Sequence, residues 1–303
     1  MNVHDEILRF IDELPQVALE DEIEPVRTKE SLEMIAQIIE KSGKTVSEAV
    51  LVYMAVIRFL AKNSQPHSEV IQQKGEEIVR LSVEKGVQAN LPSRALPLFE
   101  VLHNKIGSKS YSIIELGSSA GLIGRCLLNP QPILDQKELY LSPQQQMAAC
   151  IPEVNGYMGI DLSLPEDEWL IACDWEPNHR RQLTRFLKDC APVRDQDFSL
   201  HEGNVFGFST FPQVSEFVAR SVLRGSTVVV LTSFMLYQYE EEQKKQLRGE
   251  IFGFLTFNGG YGAHWINQDV DLAASPLEYY IELDGKKIVN LSDDACVQWT
   301  WIK

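Results

Sequence analysis

The sequence is poor in cysteine and has none of the cysteine patterns that hold small folds together. Its five cysteines are widely spaced and include no C-x-x-C pair, so we expect neither a disulfide framework nor a structural zinc site. They are Cys126, Cys150, Cys173, Cys190 and Cys296. The six histidines include no pair at H-x-x-x-H spacing, and we predict no metal site. Unpaired, dispersed thiols are typical of a cytoplasmic protein, which is the location we predict.

Basic residues and long apolar runs are also scarce. Lysine and arginine together number 28 against 43 aspartates and glutamates, which gives a formal net charge of −15. Such a surface repels phosphate backbones and anionic lipids, so we expect neither nucleic acid nor a membrane as a partner. The longest unbroken apolar run, residues 50–57, is far shorter than the roughly 20 residues of a membrane span. The first residues are acidic and amphipathic, which is unlike a signal peptide.

The patterns that are present divide the chain at about residue 105. Thr45 and Glu48 form a capping box before an apolar helix, and residues 28–41 and 68–85 have apolar side chains at helical spacing. No alternating, strand-length pattern occurs before residue 110. We therefore predict a helical N-terminal segment, residues 1–105, and an α/β domain, residues 106–303.

From residue 110 onward, apolar runs rich in β-branched residues alternate with helical stretches. The runs that predict strands are residues 112–116, 157–162, 169–173, 226–232, 264–270, 279–283 and 296–302. Alternation of strands and helices is typical of a parallel sheet with helices on both faces. The last three runs follow one another without long helices between them, and Asp284-Gly285 after the second of them is a turn signal. We therefore expect a mostly parallel sheet with an antiparallel C-terminal edge.

A glycine-rich turn after the first of these strands carries most of the functional information. Glu115, Gly117, Ser119 and Gly121 match E-x-G-x-S-x-G, which resembles the E-x-G-x-G-x-G turn of class I S-adenosylmethionine methyltransferases. Glycines let backbone amides approach a ligand, and the helix that follows directs its positive end towards a carboxylate. The resemblance makes these four residues and Ser118 candidates for cofactor binding, with Ser119 in place of the usual middle glycine.

Two other interpretations of this turn remain open. It also matches the G-x-S-x-G nucleophile elbow of α/β-hydrolases, with Ser119 as nucleophile, Asp161 or Asp174 as acid and His264 as base in the required chain order. That elbow follows earlier strands and an oxyanion loop, which the helical first 110 residues do not supply, so this interpretation ranks below the first. The third interpretation is a tight strand-to-helix turn that binds nothing.

Further cofactor candidates lie where later strands end. An acid at the tip of the second strand commonly binds ribose hydroxyls in such folds. Asp161 and Asp174 both follow apolar runs, and the sequence does not choose between them. Residues 198–205 resemble a third strand ending at Gly203 and Asn204, where the carbonyl of Asn204 would accept a hydrogen bond from an adenine amine.

The fourth predicted strand contributes candidates on the acceptor side. Residues 228–237 resemble the strand and loop that border the acceptor site of methyltransferases. The resemblance implies that Thr232 and Ser233 contact the cofactor and that Tyr237 contacts the substrate.

A wider resemblance covers roughly residues 45–270 and relates the chain to an uncharacterised bacterial family with a methyltransferase-like fold. The matching segments are residues 87–94 (V-Q-T-N-E-x-x-R in the family), 115–122 (E-x-G-x-S-A-G-L), 159–162 (G-x-D-L), 169–175 (W-L-x-A-x-x-W) and 263–265 (V-H-W). The chain departs from the family at Leu91, at Asn204 and at Ile123-Gly124. A helical 169–175 segment in that family would favour Asp161 over Asp174 as the strand-end acid. The resemblance supplies no reaction or substrate.

The first matching segment adds three candidates for substrate binding. Gln88, Asn90 and Arg94 precede the first strand, and Arg94 can hold a carboxylate through two hydrogen bonds. A hydrogen-bonded cluster between elements is the alternative role.

Together these patterns predict a Rossmann-like, class I methyltransferase-type α/β fold that transfers a methyl group from S-adenosylmethionine to a small molecule. A non-catalytic protein of the same fold, which binds a nucleoside or a partner, and a Ser119 hydrolase are the alternatives.

Overall fold

A computed structural model describes residues 2–14, 20–61, 65–86, 91–135, 151–174, 177–190, 198–292 and 298–302. The chain groups into two units. The first comprises Met1–Ala89 with Glu166–Leu187, and the second comprises Asn90–Pro165 with Lys188–Lys303. The division predicted at residue 105 differs from this grouping, because Glu166–Leu187 belongs to the same unit as the N-terminal helices.

The helices and strands are numbered in chain order. The helices are α1 (Val3–Glu13), α2 (Glu20–Val26), α3 (Lys29–Ser42), α4 (Val46–Leu60), α5 (His67–Glu84), α6 (Leu96–Val101), α7 (Leu122–Leu128), α8 (Gln131–Leu134), α9 (Asp167–Cys173), α10 (Pro177–Asp189), α11 (Pro212–Leu223) and α12 (Glu241–Asn258). The strands are β1 (Ser110–Leu116), β2 (Glu153–Asp161), β3 (Phe198–Glu202), β4 (Thr227–Ser233), β5 (His264–Asp271), β6 (Glu278–Leu283), β7 (Lys286–Leu291) and β8 (Trp299–Trp301). Across the described ranges, no helix has the length and apolarity needed to cross a bilayer.

Helix α4 is the centre of the first unit, and its start confirms the predicted capping box. The Glu48 amide donates to Thr45 Oγ1 (3.3 Å), while the Thr45 amide donates to Glu48 Oε2 (2.9 Å). Most residues of α4 are buried, and the buried Tyr53 hydroxyl donates to Ser31 Oγ at 3.0 Å. A helix that is apolar on most sides is therefore surrounded by other helices, as its sequence predicts.

The strand predicted at residues 169–173 is wrong, because this segment forms helix α9 in the first unit. Trp169 packs edge-on against Phe59, with ring centroids 5.7 Å apart, and its indole nitrogen donates to the Gly86 carbonyl. Acidic residues in the first turn, Asp167 and Glu168, interact favourably with the helix dipole. A short apolar run fits a buried helix as well as a strand, and the surrounding helices decide between them.

The described residues of the second unit contain eight strands that form one sheet. Their order is β3-β2-β1-β4-β5-β6-β7-β8. Neighbours from β3 to β5 pair in parallel, and β5 to β8 pair antiparallel. The prediction of an α/β fold with a mostly parallel sheet and an antiparallel C-terminal edge is confirmed.

Helices cover both faces of this sheet. Met158 lies in the core that includes Phe217 of α11 and Ile251 of α12. The neighbouring Tyr157 faces the other way, where its ring touches Gly124 of α7. Because successive strand residues point to opposite faces, α7 and the α11–α12 pair lie on opposite sides of the sheet.

The antiparallel edge contains a strand that the sequence analysis missed. β6 and β7 form a hairpin through Asp284 (φ 52°) and Gly285 (φ 81°), and positive φ at both positions is typical of a type I′ turn. The turn was predicted but β7 was not, because its lysines and asparagine obscure the alternating pattern. Of the last predicted strand, Trp299–Trp301 is seen, and residues 293–297 lie outside the described ranges.

Candidate functional site

The glycine turn lies where the strand order of the sheet reverses direction. β1 pairs with β2 on one side and with β4 on the other, so the chain winds away from β1 in both directions. In open α/β sheets, ligands bind at such a point, in the crevice outside the carboxyl ends of the strands. The turn between β1 and α7 therefore occupies the position at which a ligand is expected.

The turn is held against the end of β2 by its own backbone. Gly117, Ser119 and Gly121 all have positive φ, at 74°, 52° and 67°. The amides of Gly117 and Ser118 donate to the Ile160 carbonyl, at 2.8 and 3.3 Å. The Ser119 amide donates to Asp161 Oδ2 at 2.6 Å. Three amides that the methyltransferase pattern assigns to a ligand are thus bonded within the chain.

Close packing accounts for the glycines of this region. A Cβ on Gly117 would lie 2.6 Å from the sulfur of Met235, and one on Gly121 would lie 2.8 Å from the Leu200 and Phe198 side chains. Contacts below about 3 Å do not occur between real carbon atoms, so neither position accepts a larger residue without movement. Close packing and positive φ are therefore sufficient to explain the glycines at positions 117 and 121, as in a turn that binds nothing.

Glu115 is enclosed beneath the turn rather than open to a ligand. Its side chain is buried, and its carboxylate accepts a hydrogen bond from the Tyr157 hydroxyl. Burial raises the pKa of Glu115 from 4.5 to about 8, the Tyr157 hydrogen bond and Arg94 lower it, and the charge of Asp161 raises it. The carboxyl is therefore mainly protonated at pH 7, and it does not offer the negative charge that a ligand ammonium group requires.

Of the two candidate strand-end acids, Asp161 occupies the predicted position and Asp174 does not. Asp161 is the last residue of β2, is partly exposed, and contacts the turn through Ser119. Asp174 follows helix α9 in the first unit, and its carbonyl accepts hydrogen bonds from Arg58 (3.4 Å) and Arg180 (3.1 Å). Its assignment to a strand end is corrected together with the 169–173 strand.

Gly203 and Asn204 directly follow β3 as predicted, but the Asn204 side chain bonds within its own turn. Its Oδ1 accepts the Phe206 amide at 3.0 Å, which closes a tight turn. The Gly203 amide donates to the Asp161 carbonyl at 2.8 Å, and a Cβ on Gly203 would lie 2.8 Å from the Phe211 ring. These contacts bring the end of β3 to Asp161.

Thr232 and Ser233 belong to two buried hydrogen-bond chains at the end of β4. The Thr232 hydroxyl donates to Asn267 Oδ1 at 2.8 Å and accepts from the Trp265 indole at 3.1 Å. The Ser233 hydroxyl donates to Gln268 Oε1 at 2.9 Å. Both side chains therefore tie β4 to β5.

Arg94 lies in the second unit on a buried 3₁₀ turn, Pro92–Ala95. Its guanidinium carbon is 4.3 Å from the centre of the Phe234 ring, and its carbonyl accepts from Gln268 at 3.2 Å. The positive charge of Arg94 also reaches Glu115 and lowers the pKa of its carboxyl. Arg94 is therefore near the turn as predicted, whereas Gln88 and Asn90 lie outside the described residues.

Two tyrosines follow β4 on the crevice side. Tyr237 lies on the 3₁₀ turn Leu236–Gln238 and is 37% exposed. Tyr239 is half-buried, meets Phe206 edge-on with ring centroids 5.3 Å apart, and has its pKa raised by burial and by the charge of Asp161. From the sequence, Tyr237 and Tyr239 are both candidates to flank a substrate, with packing as the alternative role. Spacing alone could not show that the charge of Asp161 reaches Tyr239, because the loop after β4 sets that placement.

Tyr157 and Met235 are site residues that sequence patterns did not reveal. Tyr157 stacks on Phe198 with ring centroids 5.2 Å apart and donates to Glu115. Met235 packs on Gly117 from the loop after β4. Both lie in apolar runs of the sequence, where the pattern does not distinguish a residue that packs under the turn from any other core residue.

The hydrolase arrangement is not present. His264 begins β5 and pairs in register with Val229, which in turn pairs with Ile113 of β1. The turn with Ser119 therefore begins more than three residues, about 10 Å, further along the sheet, and β5 lies two strands, about 10 Å, to the side. His264 Nδ1 instead lies 2.8 Å from Asp284 Oδ2. Ser119 and His264 cannot form a nucleophile–base pair.

Comparison with models of protein families finds no family that matches the chain, and comparison with curated proteins finds no match. Among the side chains that the structure describes, no three His, Cys, Asp or Glu residues cluster in a way that could hold a metal ion.

Proposed function

We propose that the second unit has a class I methyltransferase-type fold and binds S-adenosylmethionine in the crevice above the carboxyl ends of β1 and β4. The observation that carries the proposal is the contact of Asp161 with the Ser119 amide, which places the strand-end acid directly beside the glycine turn. The parallel strand order β3-β2-β1-β4-β5, with the reversal at β1, supports the same position for the ligand.

The residues present fit the ribose end of this cofactor. Asp161 uses one oxygen on the turn, and a carboxylate has further acceptor capacity for ribose hydroxyls. Tyr239 and Phe206 form an aromatic pair, and the charge of Asp161 reaches Tyr239 and raises its pKa. The thioether of Met235 covers Gly117 and must move when a ligand approaches the turn, which an unbranched side chain does easily.

The cofactor supplies a methyl carbon bonded to a positively charged sulfur. Bound there, it would donate this methyl group to an acceptor lone pair, with the electron pair of the broken carbon–sulfur bond staying on the sulfur. The chain's own contribution is to align acceptor, carbon and sulfur and to exclude water, and such alignment alone accelerates a reaction strongly. Tyr237, exposed on the loop after β4, contacts the small-molecule acceptor in this proposal.

Isothermal titration calorimetry with S-adenosylhomocysteine, the demethylated product, tests the cofactor site. We expect the wild-type chain to bind it and Asp161→Asn to bind about tenfold more weakly, because a neutral amide accepts ribose hydrogen bonds less strongly. Asn keeps an oxygen for the Ser119 amide, so the unfolding temperature should change little. Asp271→Asn, at the end of β5, is the matched control and should bind like wild type. Absence of heat with wild type, or equal loss in both variants, would overturn the proposal.

A non-catalytic ligand-binding protein is the second candidate. The internal bonding of the Gly117, Ser118 and Ser119 amides favours it, because a turn that is already satisfied gives a ligand fewer directional contacts. Incubation with methyl-tritiated S-adenosylmethionine and pooled small-molecule extracts separates the candidates. Label transferred to an acceptor supports the methyltransferase, whereas cofactor binding without transfer supports the second candidate.

A further inference from the structure

The exposed side of helix α12 is uncharged and largely apolar near its C-terminal end. Gly249, Phe252, Gly253, Thr256 and Phe257 are exposed and recur three and four positions apart, so they lie on one side of the helix. Phe257 is 87% exposed and Phe252 is 40% exposed. A single exposed apolar residue is ordinary, whereas a continuous apolar face marks an interaction surface. These five residues are called the α12 face below.

The α12 face lies in a part of the chain that carries no charge. Charged residues make up 23% of the sequence, yet residues 251–263 contain none. The nearest acid on the helix, Glu250, bonds within its own chain. Its carboxylate accepts the Gly207 amide at 2.6 Å and the Gln246 side-chain amide at 3.1 Å. The α12 face therefore offers no charge to which an oppositely charged partner could bind.

The two glycines of the face leave a hollow that the fold of one copy does not require. Neither Gly249 nor Gly253 has positive φ. Among the described residues, nothing lies within 4 Å of a Cβ placed on either of them. Alanine would therefore fit at both positions, and glycine inside a helix is less stable than alanine. Close approach of another backbone is the role in which glycine has an advantage.

The α12 face is complementary to itself. Gly249 lies four residues before Gly253, and Phe257 lies four residues after it. When two copies of α12 cross antiparallel at Gly253, Phe257 of each copy meets Gly249 of the other. The ring enters the hollow around the two glycines, as a knob enters a hole between paired helices. Contacts that are reciprocal in this way are those of a two-fold dimer.

We propose that the α12 face binds a second copy of this chain and forms a two-fold dimer. Each copy has a formal net charge of −15, so two copies repel one another where their acidic surfaces meet. The α12 face lets them approach without opposing charges. One helix pair buries less than the roughly 1,200 Å² of a stable interface, so we expect a weak dimer with a Kd on the order of 100 µM. At the dilute concentrations of unfolding measurements the chain is then monomeric.

Sedimentation velocity of the full chain over a range of about 5 to 500 µM tests this inference. We expect a monomer at the lowest concentration, a dimer at the highest, and stronger association as salt screens the repulsion between copies. Phe257→Ser should weaken the dimer by about tenfold or more. Leu272→Ser is the matched control, because Leu272 is 59% exposed and follows β5 at the opposite edge of the sheet. It should leave the association unchanged.

Gly249→Leu separates specific packing from general adhesion between apolar surfaces. Leucine adds exposed apolar area, but it fills the hollow that Phe257 enters. We expect the dimer to weaken by about tenfold or more. Association that becomes stronger would show that the apolar surfaces adhere without a defined fit, and would overturn the inference.

Cross-linking through introduced cysteines tests the antiparallel crossing at Gly253. Gly253→Cys places the two thiols at the crossing point, within reach of a disulfide. Gly249→Cys places them about 12 Å apart along the helix axis, which is too far. Under air oxidation we expect a covalent dimer from Gly253→Cys, and none from Gly249→Cys or from wild type, which controls for the native cysteines.

A chain that stays monomeric over the whole concentration range, an equal loss in Leu272→Ser, or equal cross-linking of the two cysteine variants would also overturn the inference. None of these outcomes depends on S-adenosylmethionine, so this inference and the proposed function fail separately.

Discussion

Replacing Gly124 by alanine should destabilise the second unit by about 3 kcal/mol or more, near the upper end of the cost of overpacking a core. A Cβ at this position would lie 2.3 Å from the Tyr157 ring. That ring cannot move aside freely, because it stacks on Phe198 and donates to Glu115. Denaturant unfolding followed by fluorescence measures the change.

Gly253→Ala is the matched control for this prediction. Gly253 is also a helical glycine, but a Cβ there meets nothing within 4 Å. The substitution should stabilise the chain by roughly 0.5–1 kcal/mol, since only helix propensity changes. If Gly124→Ala were equally stabilising, α7 would not pack against β2 as described.

Replacing Glu115 by glutamine should remove a large pH dependence of stability. Burial raises the pKa of Glu115 to about 8 in the folded chain, against 4.5 when the group is exposed. Between these values the folded state holds a proton that the unfolded state has lost, so wild-type stability falls as pH rises. Each pH unit costs about 1.4 kcal/mol, or on the order of 4 kcal/mol from pH 5 to pH 8.

Glutamine resembles the protonated carboxyl in shape and can still accept from Tyr157. The free energy of unfolding of Glu115→Gln, relative to wild type, should therefore rise by that amount between pH 5 and pH 8. Urea unfolding of both proteins at the two pH values measures it. A difference that stays constant over this range would show that Glu115 ionises at its ordinary pKa and would contradict its burial beside Tyr157.

Local sequence chemistry predicted much of the fold. The capping box of Thr45 and Glu48 fixes the start of α4, and the Asp284-Gly285 turn fixes the β6–β7 hairpin, because both depend on residues a few positions apart. The apolar β-branched runs located the central strands. The 169–173 segment was misassigned because its structure depends on Phe59 and Gly86, which lie far away in the chain.

The candidate site was predictable in outline and not in its contacts. A glycine turn after β1 and an acid at the end of β2 could be read from the sequence, since each lies directly at the end of its strand. Three contacts depend on how distant segments meet: the Ser119 amide with Asp161, Met235 with Gly117, and Glu115 with Tyr157. Spacing within one segment contains no information on such contacts.

A crystal structure of the chain with saturating S-adenosylhomocysteine tests the central claim most directly. We expect ligand density above the carboxyl ends of β1 and β4, ribose hydroxyls within hydrogen-bond distance of Asp161, and Met235 moved away from Gly117. Ligand bound elsewhere, or a turn that stays closed under Met235 with no ligand density above it, would contradict the account.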